Sequence, residues 1–106
     1  MTTLSTHVLD SALGQPAAGI AVALTGPEAT LLAEARTDPD GRGRFDVPIG
    51  DGTHRLTFAT GPWFAAADRA TLYPEVVLSF EVDTAEEHYH VALLLGPWSY
   101  TTYRGS

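Results

Sequence analysis

Glycine and proline interrupt this 106-residue chain at short, regular intervals, and that punctuation constrains its fold more than any other feature. Turn signals stand at Gly14-Gln15-Pro16, Gly26-Pro27, Asp38-Pro39-Asp40-Gly41, Gly50-Asp51-Gly52, Gly61-Pro62, Tyr73-Pro74 and Gly96-Pro97. The pieces between them have strand length. Leu4 to Asp10 alternates Leu4, Thr6 and Val8 against Ser5, His7 and Leu9. Ile20, Val22 and Leu24 share a face, and Val76, Leu78, Phe80 and Val82 form a second stripe of period two. Such alternation marks half-buried strands. Thr30 to Thr37, Gly43 to Val47, Thr53 to Thr60, His88 to Leu95 and Trp98 to Tyr103 bring the count to about eight, with His54 on the face of Leu56 and Phe58. Pro62 to Ala70 breaks the rhythm: proline at a first helical position and a run of helix formers predict one short helix there. Many short antiparallel strands with turns between them describe an all-β sandwich or small barrel.

With 44% hydrophobic and 18% charged residues, the chain has enough apolar side chain for one compact domain spanning residues 1–106 and too few charges for a disordered tail. Its formal net charge of −7, without any Lys/Arg-rich run, argues against nucleic acid and anionic membranes as partners. Without cysteine, disulfides, thiol catalysis and Cys-ligated metal drop out. No leader-like stretch opens the sequence and no apolar run approaches the roughly 20 residues a bilayer requires, so the expectation is a cytoplasmic protein.

A few residues carry potential chemistry. His88 and His90, two apart on a strand, point to one face, followed there by Ala92 and Leu94. Two imidazoles beside an apolar wall make either a pH-sensitive surface pair or part of a site. With a third histidine, an H-x-H pair can also hold catalytic zinc. His7, alone on its strand, and Asp38-Pro39-Asp40-Gly41-Arg42, taken alone, read as a surface histidine and a hairpin turn bearing a solvated arginine. Arg44 reads the same way. Tyr100 to Ser106 ends in aromatics and an arginine instead of small polar residues, which predicts a docked segment.

Taken together, Leu4-Ser5-Thr6-His7-Val8-Leu9-Asp10, Thr37-Asp38-Pro39-Asp40-Gly41-Arg42, Tyr73-Pro74-Glu75-Val76, His88-Tyr89-His90-Val91 and Tyr103-Arg104-Gly105-Ser106 resemble the 5-hydroxyisourate hydrolases, transthyretin-like enzymes of urate breakdown. The likeness runs from Leu4 to Ser106, and the ending Y-R-G-S separates the enzymes from hormone-carrying transthyretins. It implies a transthyretin-like (prealbumin-like) eight-stranded antiparallel two-sheet sandwich with one short helix. It also implies a homotetramer, a dimer of dimers with sites in the channel where dimers meet, and no cofactor or metal. Trp98 and Ala92 depart from the residues usual in the family at those positions.

The resemblance places catalytic residues at His7, Arg42 and His90, with Tyr103, Arg104, Gly105 and Ser106 joining His7 and Arg42 in binding substrate. The implied reaction opens the six-membered ring of 5-hydroxyisourate with water at an amide carbonyl, giving 2-oxo-4-hydroxy-4-carboxy-5-ureidoimidazoline. Imidazoles with pKa values near 6.5 suit the proton transfers; which histidine is the base stays open at this point. Arg42 offers a permanently charged planar fork for an anion and for charge developing on the attacked oxygen. Tyr103 offers an aromatic body and a hydroxyl to close the pocket. Two alternatives remain: a transthyretin-like carrier holding a small ligand without chemistry, and a zinc hydrolase using the histidines.

Overall fold

A computed structural model describes residues 1–106. The element order is β1 (Thr2–Asp10), β2 (Gln15–Pro16), β3 (Ala21–Thr25), a 3-10 turn (Pro27–Ala29), β4 (Leu31–Arg36), β5 (Arg42–Ile49), β6 (Gly52–Phe58), α1 (Thr60–Ala66), β7 (Val76–Val82), β8 (His88–Leu95) and β9 (Tyr100–Gly105). Eight strands of five or more residues match the expected number; the two-residue β2 is too short to show any periodicity. One sheet runs β5-β1-β8-β9, with β2 sharing the β5 side of β1, and the other runs β4-β3-β6-β7.

Alternation sends one set of side chains between the sheets. Leu4 and Val8 of β1, Phe45 of β5 and Tyr89, Val91, Leu93 and Leu95 of β8 meet Val22, Leu24, Leu56, Phe58, Val76, Leu78 and Val82. Removing this surface from water, at about 25 cal/mol per Å², is the main force joining the layers. His54 belongs to this core: it is 1% exposed, and its Nδ1 donates to the Gly52 carbonyl at 2.9 Å. Thr6, also buried, donates its hydroxyl to the Val91 carbonyl at 2.6 Å, which removes the cost of an unpaired polar group.

Three expectations shift. All strand pairings are antiparallel except β1 with β8, which run parallel; they lie far apart in the chain, so no hairpin dictates their sense. The helix begins at Thr60 and ends at Ala66, with Pro62 at its third position instead of its first, where an amide would still lack a partner within the helix. Asp68, at φ 56°, turns the chain out of it. Trp98 lies in the turn before β9, closed by the Gly96 amide on the Ser99 carbonyl at 2.9 Å, and the strand continues instead through Gly105, docked on β8 as expected.

Candidate active site

Because β1 lies between β5 and β8, its outward side chains stand in register with theirs. His7 faces Arg42 on one side and Ala92 on the other, and Ala92 faces Tyr103 of β9. The next row reads Arg44, Ser5, His90 and Gly105. His88 follows, opposite Thr3. His7, Arg42, His90 and Tyr103, far apart in the sequence, therefore occupy two adjacent rows on one outward face.

The turn before β5 is not a hairpin, since β4 pairs with β3 and β5 with β1; it crosses from one sheet to the other. Asp38 shapes it by accepting the amides of Asp40 and Arg42 on Oδ1, both at 2.9 Å. Gly41 has φ +79°, and its carbonyl accepts the Val8 amide at 2.7 Å; a Cβ there would strike the Val8 carbonyl. Only glycine permits that approach. The turn thus lies against β1 and presents the Asp40 carbonyl to His7 Nε2 at 2.8 Å. A carbonyl has no proton to give, so Nε2–H donates and the neutral ring keeps its lone pair on Nδ1.

His90 is held from two sides. Its Nδ1 is 2.7 Å from Ser5 Oγ, and its Cδ2 edge rests on the backbone of Gly105, where any Cβ would overlap the ring. Ser5 Oγ also lies 2.9 Å from His88 Nε2, and His88 Nδ1 lies 2.7 Å from Thr3 Oγ1. Burial, followed by the charges of His7, Arg42 and His88, pushes the His90 pKa below its ordinary 6.5. The ring is therefore neutral at neutral pH, with Nε2 as its one nitrogen free of protein partners.

Arg36, Arg42 and Arg44, three of the chain's six basic residues, line a groove of about 560 Å³ with Ser5, His88 and His90. On an acidic protein this concentrates positive potential at one place and draws in anions. No three His, Asp or Glu side chains converge to hold a metal ion. The donor set for zinc is thus not assembled in the chain, and His90 Nδ1 and both His88 nitrogens already face hydroxyls.

The Y-R-G-S residues separate by strand alternation. Tyr103 stands on the outward face, 53% exposed, and Gly105 supports His90. Arg104 points to the other face, with its guanidinium 4.5 Å from the Tyr89 ring centroid and 3.7 Å from Glu86. Ser106 follows the strand, exposed. Thr3, Ser5 and the Asp40 carbonyl were not singled out from the sequence. Only the parallel β1–β8 register and the crossing turn bring them to the histidines.

Comparison with known proteins places the whole chain and its fold in a family. Residues 4–105 match the model of the HIUase/Transthyretin family. The 5-hydroxyisourate hydrolase of Caulobacter vibrioides is 43% identical over 117 aligned positions covering all of both chains. That of Deinococcus radiodurans is 47% identical over 97% of this chain and 95% of its own. The structure of Klebsiella pneumoniae 5-hydroxyisourate hydrolase superposes with a TM-score of 0.89 at 39% identity, over 100% of this chain and 94% of that one. Sea bream transthyretin in complex with thyroxine gives 0.87 at 25% identity, over 96% and 93%. The chain belongs to the HIUase/Transthyretin family.

Proposed function

We propose that this protein hydrolyses 5-hydroxyisourate, with His7, Arg42 and His90 as its catalytic residues. The observation carrying this reading is the convergence of two differently wired imidazoles and a guanidinium on one outward face. A carrier needs an apolar slot and has no use for such a set. Its relatives at 43% and 47% identity are named for the same reaction.

The wiring divides the labour. Neutral His90 takes a proton from water at Nε2 while the oxygen attacks the ring carbonyl, and the same nitrogen returns the proton to the leaving ring nitrogen. His7, its Nε2–H anchored on the Asp40 carbonyl, uses Nδ1 to orient the water or a substrate N–H. Arg42 binds the urate-like anion and stabilises charge developing on the carbonyl oxygen. Tyr103 closes the pocket, Gly105 serves it by seating His90, and Ser106 stays in the binding proposal at the strand's end; Arg104, turned to the opposite face against Tyr89 and Glu86, does not reach this pocket within one chain.

The assembly is part of this reading. β7 and β9 each pair on one side only, and residues of both line one groove, so these two open edges lie at the same side of the sandwich. Val77, Tyr100 and Tyr103 are exposed along them. Open apolar edges favour pairing with another copy. The site, lying on a broad sheet face, gains the walls a small-molecule pocket requires when a second such face opposes it. A homotetramer formed as a dimer of dimers supplies both contacts, and sedimentation analysis tests it. A cytoplasmic setting completes the proposal and is checked by cell fractionation.

The deciding experiment follows the ultraviolet decay of 5-hydroxyisourate, generated in situ from urate by a urate oxidase, with and without the chelator-treated protein. Acceleration above the blank that is lost in His7→Ala, Arg42→Ala and His90→Ala is the expected result. No acceleration by folded protein moves the weight to a ligand carrier, the role suggested by the thyroxine complex of sea bream transthyretin. Activity lost on chelation and restored by zinc overturns the metal-free mechanism.

A further inference from the structure

Ser5 has one hydroxyl proton and stands between two imidazole nitrogens, 2.7 Å from His90 Nδ1 and 2.9 Å from His88 Nε2. It can donate to one of them only, and the other must then donate to its oxygen. The tautomers of His88 and His90 are therefore coupled. If Ser5 donates to His90, the neutral His90 carries its proton on Nε2 and has no outward lone pair. If Ser5 donates to His88 Nε2, then His90 Nδ1–H donates to Ser5, His88 Nδ1–H donates to Thr3 Oγ1 at 2.7 Å, and His90 Nε2 is left bare. Thr3 closes the chain at the end far from the proposed reaction.

From this geometry we infer that Ser5 and His88 are positioning residues for the hydrolysis: one hydroxyl shared between two imidazoles holds His90 in the tautomer whose Nε2 can act as a base. This rests on His90 being the base of the proposed reaction. An unconstrained neutral histidine favours the opposite tautomer, so the chain of hydroxyls has a definite task. It also suits the charged intermediate. When Nε2 has taken the proton of water, Nδ1–H still donates to Ser5 and Ser5 still donates to neutral His88, so no bond in the chain has to reverse. Passing the Nε2 proton to the leaving ring nitrogen restores the starting arrangement with every proton accounted for. Hydrogen bonding at one ring nitrogen commonly sets the state of the other.

The test combines kinetics with nitrogen NMR of the ring on the full-length protein. In the wild type at neutral pH, the expected His90 spectrum has a protonated Nδ1 and a bare Nε2. Ser5→Ala removes the acceptor, and His88→Phe deprives the Ser5 proton of its outward partner and turns it onto His90 Nδ1. Both variants should show Nε2–H and lose about 10- to 100-fold in kcat with KM within about twofold, the range found for hydrogen-bond partners that orient metal-bound histidines. Ser5→Thr, which keeps the hydroxyl, should restore both tautomer and rate. His88 is exposed, so its variant carries the test if Ser5→Ala does not fold. A wild-type His90 protonated on Nε2, or unchanged kcat in Ser5→Ala and His88→Phe, overturns the inference. His90→Ala measured alongside separates the two claims. If it is fully active, the proposed site itself is wrong; if it alone is inactive, only the role of Ser5 and His88 falls.

Discussion

Replacing Gly105 by alanine should separate activity from stability. Gly105 does not have a positive φ, so its backbone accepts alanine, and on an edge strand the change stabilises, if anything, by up to about 1 kcal/mol. The added Cβ, however, would overlap the Cδ2 edge of His90, with Cγ only 3.3 Å away. Recovering ordinary carbon contact near 3.5 Å requires the ring to retreat by about 1 Å. It cannot retreat within the sheet, because its opposite edge already meets Ser5 Oγ at 2.7 Å, near the lower limit for such a bond. The ring must lift or change rotamer, and Nε2 moves with it. A misplacement of about 1 Å in a reacting group costs on the order of 100-fold in rate, equivalent to about 2.7 kcal/mol in the barrier. The expected result is a kcat/KM lowered by about two orders of magnitude in the 5-hydroxyisourate decay assay. Thermal unfolding should show a midpoint close to that of the wild type, because the lost Ser5–His90 bond, worth about 1 kcal/mol, offsets the gain from replacing glycine. Full activity in a folded Gly105→Ala protein would refute the idea that the ring is clamped between β1 and β9. An equal loss of activity and stability would assign the glycine to folding instead.

The other predictions concern charge and protonation. Because His90, as the proposed base, must be neutral to act and its pKa is lowered from 6.5, kcat/KM should fall in acid with a midpoint below 6.5; a midpoint above 6.5 in the pH–rate profile would contradict this. Arg42→Ala should reduce kcat/KM more than Arg44→Ala, since Arg42 pairs with His7 and its charge is one of those acting on His90, whereas Arg44 pairs with Ser5 and is not among them; equal losses in steady-state kinetics would show only a general electrostatic effect. Arg69 donates to buried Asp10 at 2.6 Å, with its guanidinium 4.8 Å from the Phe64 ring centroid, so Arg69→Ala should destabilise the fold by about 3 kcal/mol in urea titration. Burial alone would raise the Asp10 pKa, but the bond from Arg69 and the Leu13 and Ala12 amides outweigh it and hold the pKa below 3.8. This contribution is therefore present at neutral pH and lost as pH falls through that depressed value.

Much of the architecture was legible because turns and alternation are local. Each Gly- or Pro-bearing segment limits its own backbone, and side chains two apart on a strand share a face whatever lies beside them. The burial of Leu4, Thr6 and Val8, the common face of His88 and His90, and the core position of His54 beside Leu56 follow from neighbours within a few residues. Family resemblance, carried by short ordered motifs, singled out His7, Arg42, His90 and Tyr103.

Strand partners were decided elsewhere. No local signal states that β1 and β8 pair in parallel, that Ser5 falls opposite His90, or that the turn after β4 crosses between sheets to set a carbonyl against His7. Those facts depend on burying two complete apolar faces against each other, and only that global packing selects the register. Composition and order of residues were enough for the strands and their inward faces, and family resemblance supplied the site residues that the proposed function uses. Tertiary pairing decided which nitrogens are occupied, which remain free, and that Arg104 stands on the opposite side of its strand from Tyr103. Hydrogen bonds across strands depend on register, and a shift of one residue would exchange every face.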